Sequence, residues 1–252
     1  MKKLLSSVAL AISALTLSVG AQAGVMRAVI DFESPVDPTF AQQLPYLTHG
    51  DQFLQPGISN HDVLVTPFSF SPLRQVGDLV GELIAGAGSG SCAGIACPVN
   101  NASNFLNIYN DGVLAIESLD GYRFSVKSFK ASFIGNGDPT FAVPAALRLT
   151  GVLNGVGTDF LAVLSGPDAL GNLNFGTYTT TGAFSNTEFD YVLAYALPCL
   201  SGSGTGCQAF SSDRGQFAID DIVIEHVPEP ASLALVGLAG LAAVGARRRR
   251  PV

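Results

Sequence analysis

Arg148-Leu149-Thr150-Gly151-Val152-Leu153-Asn154-Gly155, followed by Asp159-Phe160-Leu161-Ala162-Val163-Leu164, reads as two strands joined at an Asn-Gly turn. Alternating and β-branched residues favour extended chain, and Asn and Gly accept the positive φ of a tight hairpin. The same pattern runs outward through the chain. Strands are expected at Ala28–Phe32, Asp62–Phe70, Asn104–Tyr109, Tyr122–Phe133, Ala145–Val152, Asp159–Val163, Glu188–Tyr195 and Phe217–Glu225. Turn residues separate them: Asn110-Asp111-Gly112, Asp120-Gly121, Gly135-Asn136-Gly137-Asp138-Pro139 and Gly166-Pro167-Asp168. In the fourth strand Phe124 and Val126, then Phe129, Ala131 and Phe133, recur at period two, interrupted by Lys127 and Lys130. Many short strands with few helical patterns predict an all-β chain, folded as one sandwich or jelly roll.

The first and last strands carry Val29-Ile30-Asp31-Phe32-Glu33 and Phe217-Ala218-Ile219-Asp220-Asp221-Ile222-Val223-Ile224. This Phe-Glu opening and Ile-Asp-Asp-Ile closing resembles carbohydrate-binding jelly rolls. The resemblance implies that the two terminal strands are neighbours in one sheet. It also implies that Asp31, Glu33, Asp220 and Asp221 converge as ligands of a structural calcium ion, which takes six to eight oxygen donors. The alternative is that Asp220 and Asp221 hydrogen-bond nearby loop amides.

Both ends carry addresses. Lys2 and Lys3 precede the apolar run Leu4–Val19, and Ala21-Gln22-Ala23 is a small-residue cleavage site, so 1–23 is expected to be a signal peptide cut between Ala23 and Gly24. At the other end Pro228-Glu229-Pro230 leads into the uncharged run Ala231–Ala246 and then Arg247, Arg248, Arg249 and Arg250. Sixteen residues of helix rise about 24 Å, a little short of a hydrocarbon core, and the arginines would stay cytoplasmic. This order resembles the sorting signal of PEP-CTERM proteins. Gln216, Phe217 and Asp220 also match the Gln-Phe-x-x-Asp motif of one group within them. The resemblance implies recognition of Pro-Glu-Pro by an exosortase, a transient anchor in the inner membrane, and delivery to the surface of a Gram-negative cell. The expected organisation is a signal peptide over 1–23, a sandwich over 24–226 and a sorting signal over 227–252.

The chain holds 13 basic and 20 acidic residues. Losing Lys2, Lys3 and the four tail arginines leaves seven basic residues, for a net charge of −13. Such acidity excludes nucleic acid as a partner. The four cysteines form two local pairs, Cys92/Cys97 and Cys199/Cys207, each closing a Gly-bearing loop. In an exported chain these read as disulfides, the local connectivity being favoured over the two others. A four-cysteine zinc site is the alternative, with loose spacing against it.

No catalytic constellation stands out. His49, His61 and His226 lack zincin spacing, no Gly-x-Ser-x-Gly elbow is present, and no Gly-Lys-Ser/Thr follows a glycine run. Asn101-Ala102-Ser103 matches a glycosylation sequon and reads as a turn. A glycosidase needs two carboxyls flanking the sugar, one with a raised pKa, and nothing marks such a pair. Tyr46, Phe53, Tyr109, Tyr178 and Tyr191 are aromatic candidates for stacking on sugars, none of them singled out. The expected function is that of a non-catalytic surface or matrix protein associated with exopolysaccharide and biofilm. The alternatives are a secreted glycan hydrolase and a calcium-dependent carbohydrate-binding module.

Overall fold

A computed structural model describes residues 24–33, 45–71, 77–86, 92, 95–135, 146–198, 207–210 and 214–228. The expected signal peptide over 1–23, Cys199, Glu229, Pro230 and the tail with its arginines lie outside the described residues. Residues 27–226 form one compact unit. Among the described residues no helix is long and apolar enough to cross a membrane.

The strands are β1 (Met26–Ile30), β2 (Tyr46–Thr48), β3 (Phe53–Gln55), β4 (Val63–Ser69), β5 (Leu79–Ile84), β6 (Phe105–Ile108), β7 (Gly112–Ser118), β8 (Ser125–Phe133), β9 (Ala146–Leu153), β10 (Val156–Val163), β11 (Gly176–Thr179), β12 (Tyr191–Leu197) and β13 (Phe217–His226). Among the described residues the one short α-helix, α1 (Gly182–Asn186), buries Phe184. A seven-stranded sheet runs β11-β8-β13-β6-β5-β2, with β1 also paired to β13. A six-stranded sheet runs β10-β9-β12-β7-β4-β3. Every registered strand pair in both sheets is antiparallel. The expected neighbourhood of the first and last strands is therefore present.

The hairpin that sets the pattern is β9–β10. Val156 pairs with Leu153 across a two-residue turn in which Asn154 and Gly155 have φ of 51° and 78°. Two positive φ values match the right-handed twist of the flanking strands. Alternation then separates two faces of each sheet. Leu147 and Leu149 on β9 and Val192 and Ala194 on β12 are buried. On the other sheet Leu106, Ile108, Phe129, Ala131, Phe217 and Ile219 are buried too. The Phe129 and Phe160 rings meet edge-on at 6.3 Å, joining β8 of one sheet to β10 of the other. Burying each such side chain is worth about 1.5–3 kcal/mol, which makes this interlayer the main source of stability.

Five strands escape the sequence pattern: β2, β3, β5, β7 and β11. Two of them have three residues each, too few to show a period. The strands β5 and β7 carry Gly81 and Gly112 at packed positions, where an added Cβ would lie 3.1 Å from the Asn107 carbonyl and 2.5 Å from Ile108. Glycine at such crowded points reads as a turn in sequence and serves as close approach in the fold.

Candidate functional site

The four carboxylates expected at one calcium site have separate tasks. Asp31 accepts the Glu33 amide at 3.1 Å, and Glu33 accepts the Asn104 amide at 2.8 Å. Asp220 is fully buried and accepts from the Asn101 amide group and the Ser103 hydroxyl, each at 2.8 Å, and from the Asp221 amide at 2.8 Å. Asp221 pairs with Lys130 at 2.6 Å. A register shift after Asp220, with Asp221 at φ 48°, forms a bulge at this point. Among the described residues no three His, Cys, Asp or Glu side chains come together as a metal-binding group. Glu33 and Asp220 thus tie the segment 101–104 to the sheet. The sequon Asn101-Ala102-Ser103 supplies two of those ties, and Asn101 is only 8% exposed.

Burial dominates the electrostatics of Asp220, raising its pKa from the usual carboxylate value to about 6. Hydrogen bonds from Asn101, Ser103 and the Asp221 amide act against that rise, and the neighbouring Asp221 charge adds to it. A second buried polar group lies on β5 and β6, where Glu82 and Asn107 are cross-strand partners. Tyr109 donates to Glu82 at 2.6 Å and accepts from Asn107 at 3.0 Å. Burial first, then the Glu82 hydrogen bond, drives the Tyr109 pKa far up. Over the same sheet lies the Cys92–Cys97 disulfide loop, its Cα atoms 5.4 Å apart. Cys92 packs with Ile84, Phe105 and Ala218, and Phe175 closes from the side. Cys207 is also disulfide-bonded, and no described cysteine is free.

In the Gln216-Phe217-x-x-Asp220 motif, Phe217 is buried opposite Ile108 and Phe133. Asp220 holds the loop as above. Pro228 follows β13 by two residues.

The open, chemically varied surface is the outer face of the six-stranded sheet. Along β12, Val192, Ala194 and Ala196 point inward and are buried, so Tyr191, Leu193 and Tyr195 point out. One row across five strands reads Phe68, Val113, Tyr195, Arg148 and Leu161. The next reads Thr66, Ala115, Leu193, Thr150 and Asp159. An arc of rings flanks them. His49 meets Phe68 at 6.3 Å, Phe68 meets Phe70 at 4.9 Å, Phe70 meets Phe210 at 5.4 Å, and Phe210 meets Tyr195 at 5.2 Å. Three of these contacts are edge-on, so the rings interlock into a relief instead of lying in one plane. Phe70 is 58% exposed and Tyr191 37%.

Polar groups sit beside the rings. Thr150 donates to Asp159 at 2.7 Å and lies 3.5 Å from the Tyr195 hydroxyl. Arg148 and Asp159 pair at 3.6 Å. The Arg148 Nε is buried and has no hydrogen-bond partner among the described residues. His49 Nδ1 accepts the Ser69 amide at 3.1 Å, which places the proton of the neutral ring on Nε2. Rings offer faces to the C–H side of a pyranose, and Thr, Asp and Arg offer donors and acceptors to its hydroxyls. Of the aromatic candidates from sequence, Tyr191 belongs to this face. Phe53 and Tyr109 are buried, and Tyr178 stacks on Phe129 at 5.5 Å. Tyr46 is 49% exposed, on the other sheet. Phe70, Tyr195 and Phe210 went unread, although Tyr191-x-Leu193-x-Tyr195 alternating with small apolar residues was a usable signal.

The PEP-CTERM protein-sorting motif matches residues 226–250. That motif implies an exported cell-surface protein processed by an exosortase. No curated protein matches the chain. Among solved structures, a point mutant of a family 29 carbohydrate-binding module is similar at 9% identity, covering 80% of this chain and 93% of that one, with a TM-score of 0.31. A cyclase from Fischerella sp. TAU is similar at 10% identity, covering 81% and 99%, with a TM-score of 0.35. A family 11 carbohydrate-binding module from Clostridium thermocellum, solved with a mixed-linked tetrasaccharide, is similar at 11% identity, covering 80% and 96%, with a TM-score of 0.28. At these identities and scores no ligand or reaction transfers to this chain.

Proposed function

We propose that this exported, exosortase-sorted chain is a non-catalytic surface protein that holds exopolysaccharide on the outer face of its six-stranded sheet. The observation that carries the reading is the arc Phe68–Phe70–Phe210–Tyr195 standing beside Thr150 and Asp159. Interlocked rings with polar groups between them suit a single sugar chain lying along the relief. The carboxylate whose pKa burial raises, Asp220, is fully buried under Asn101 and Ser103 and meets no substrate. This favours binding over hydrolysis. The carboxylates 31, 33, 220 and 221 are already engaged, so the reading needs no calcium.

Retention of the exported protein on exopolysaccharide from its own host tests this. Tyr195→Ala is expected to cut affinity about tenfold through loss of ring contact. Tyr46→Ala, on the other sheet, is expected to leave it unchanged, and EDTA likewise. Retention that ignores Tyr195 but falls with Tyr46, or release of free sugar by the wild type, would overturn the reading.

A further inference from the structure

We infer that the edge of β10, unpaired among the described residues, is a self-association edge, through which two copies of the exported chain pair antiparallel and join their six-stranded sheets. The strands at the ends of the two sheets differ sharply. The strands β2, β3 and β11 have three, three and four residues, whereas β10 has eight. Short edges are one device that keeps sheets from pairing with other chains; lysines, prolines and bulges are others. The eight residues of β10 contain no lysine and no proline, and their register with β9 is unbroken. Leu161 and Val163 are 52% and 63% exposed. The single charge, Asp159, is held on the sheet's outer face by Thr150 and Arg148.

The hydrogen-bond phase is fixed by the turn. A two-residue hairpin makes Leu153 and Val156 a hydrogen-bonded pair, so Val156, Thr158, Phe160 and Ala162 direct their amides and carbonyls to β9. Gly157, Asp159, Leu161 and Val163 direct theirs outward. A two-fold axis perpendicular to the sheet keeps inner faces with inner faces, so partners in the pairing have the same parity. Centring on Phe160 sets Asp159 against the other copy's Leu161, and Gly157 against its Val163. All four outward residues are then paired among themselves. Centring on Asp159 would oppose like charges, and centring on Leu161 would carry Gly157 past the end of the partner strand. The second copy is thus the occupant that matches β10 in length and hydrogen-bond phase, without setting like charges opposite each other.

Sedimentation of the exported protein purified from its host, from about 1 µM to about 500 µM, reads the pairing. The wild type is expected to pass from monomer to dimer in that range. Leu161→Glu sets Glu against Asp159 twice by symmetry and is expected to weaken the dimer about tenfold. Leu161→Lys sets Lys against Asp159 and is expected to keep or tighten it. Equal melting temperatures of the three proteins exclude misfolding at this exposed position. A monomer throughout, a dimer indifferent to Leu161→Glu, or equal weakening by both variants would each overturn the proposal. The outcome is independent of glycan binding.

Discussion

Replacing Asp220 by Asn weighs burial against hydrogen bonding at one buried carboxylate. Three donors favour its charged form: Asn101, Ser103 and the Asp221 amide. Complete burial favours the neutral form and prevails, lifting the pKa from 3.8 to about 6. A carboxylate raised on folding binds its proton more tightly in the folded chain. It therefore favours the fold at low pH, and that advantage is lost as pH rises from the unfolded to the folded pKa. A shift of about two units corresponds to roughly 3 kcal/mol in full, of which about 2 kcal/mol falls between pH 4 and pH 7. Asn keeps the shape, stays neutral and accepts from Asn101 and Ser103, at the cost of turning a donor toward the Asp221 amide. Urea unfolding of wild type and Asp220→Asn at both pH values isolates the term, because every other titrating group is shared. The variant is expected to be less stable at pH 4 and to gain about 2 kcal/mol on the wild type by pH 7. A constant difference, or a wild type that gains on the variant as pH rises, would refute the argument by showing that the three donors outweigh burial.

Other perturbations have expected directions. At Gly151 an added Cβ would lie 2.5 Å from three ring atoms of the fully buried Phe189. Gly151→Ala is therefore expected to cost about 1–3 kcal/mol in denaturant unfolding. Opening the Cys92–Cys97 bond by Cys92→Ser frees a short loop and uncovers Ile84 and Phe105, with an expected loss of about 2 kcal/mol. Unfolding curves identical with and without that bond would contradict the role given to the loop.

Much of the sandwich is legible where local chemistry decides. Asn154-Gly155 fixes a turn that only positive φ at both residues can make, and the strand expected at 217–225 is observed at Phe217–His226. The resemblance of the two end segments to carbohydrate-binding jelly rolls implies neighbouring terminal strands, and β1 pairs with β13. The acidic residues are a different case. What determines whether Asp220 holds a cation or a loop is the arrival of Asn101 and Ser103 from more than a hundred residues away. Nothing near Asp220 in sequence announces those partners. The outer aromatic face was half visible, since Tyr191, Leu193 and Tyr195 alternate with buried Val192 and Ala194. Its remaining rings, Phe70 and Phe210, lie outside strands and are brought together only by the tertiary fold.

The most direct test of the central claim is amide chemical-shift mapping of the isotope-labelled exported protein titrated with its host's exopolysaccharide. The account predicts saturable shifts clustered at Tyr191, Leu193, Tyr195, Thr150, Arg148 and Phe70. Shifts confined to the seven-stranded sheet, or none at any concentration, would contradict it.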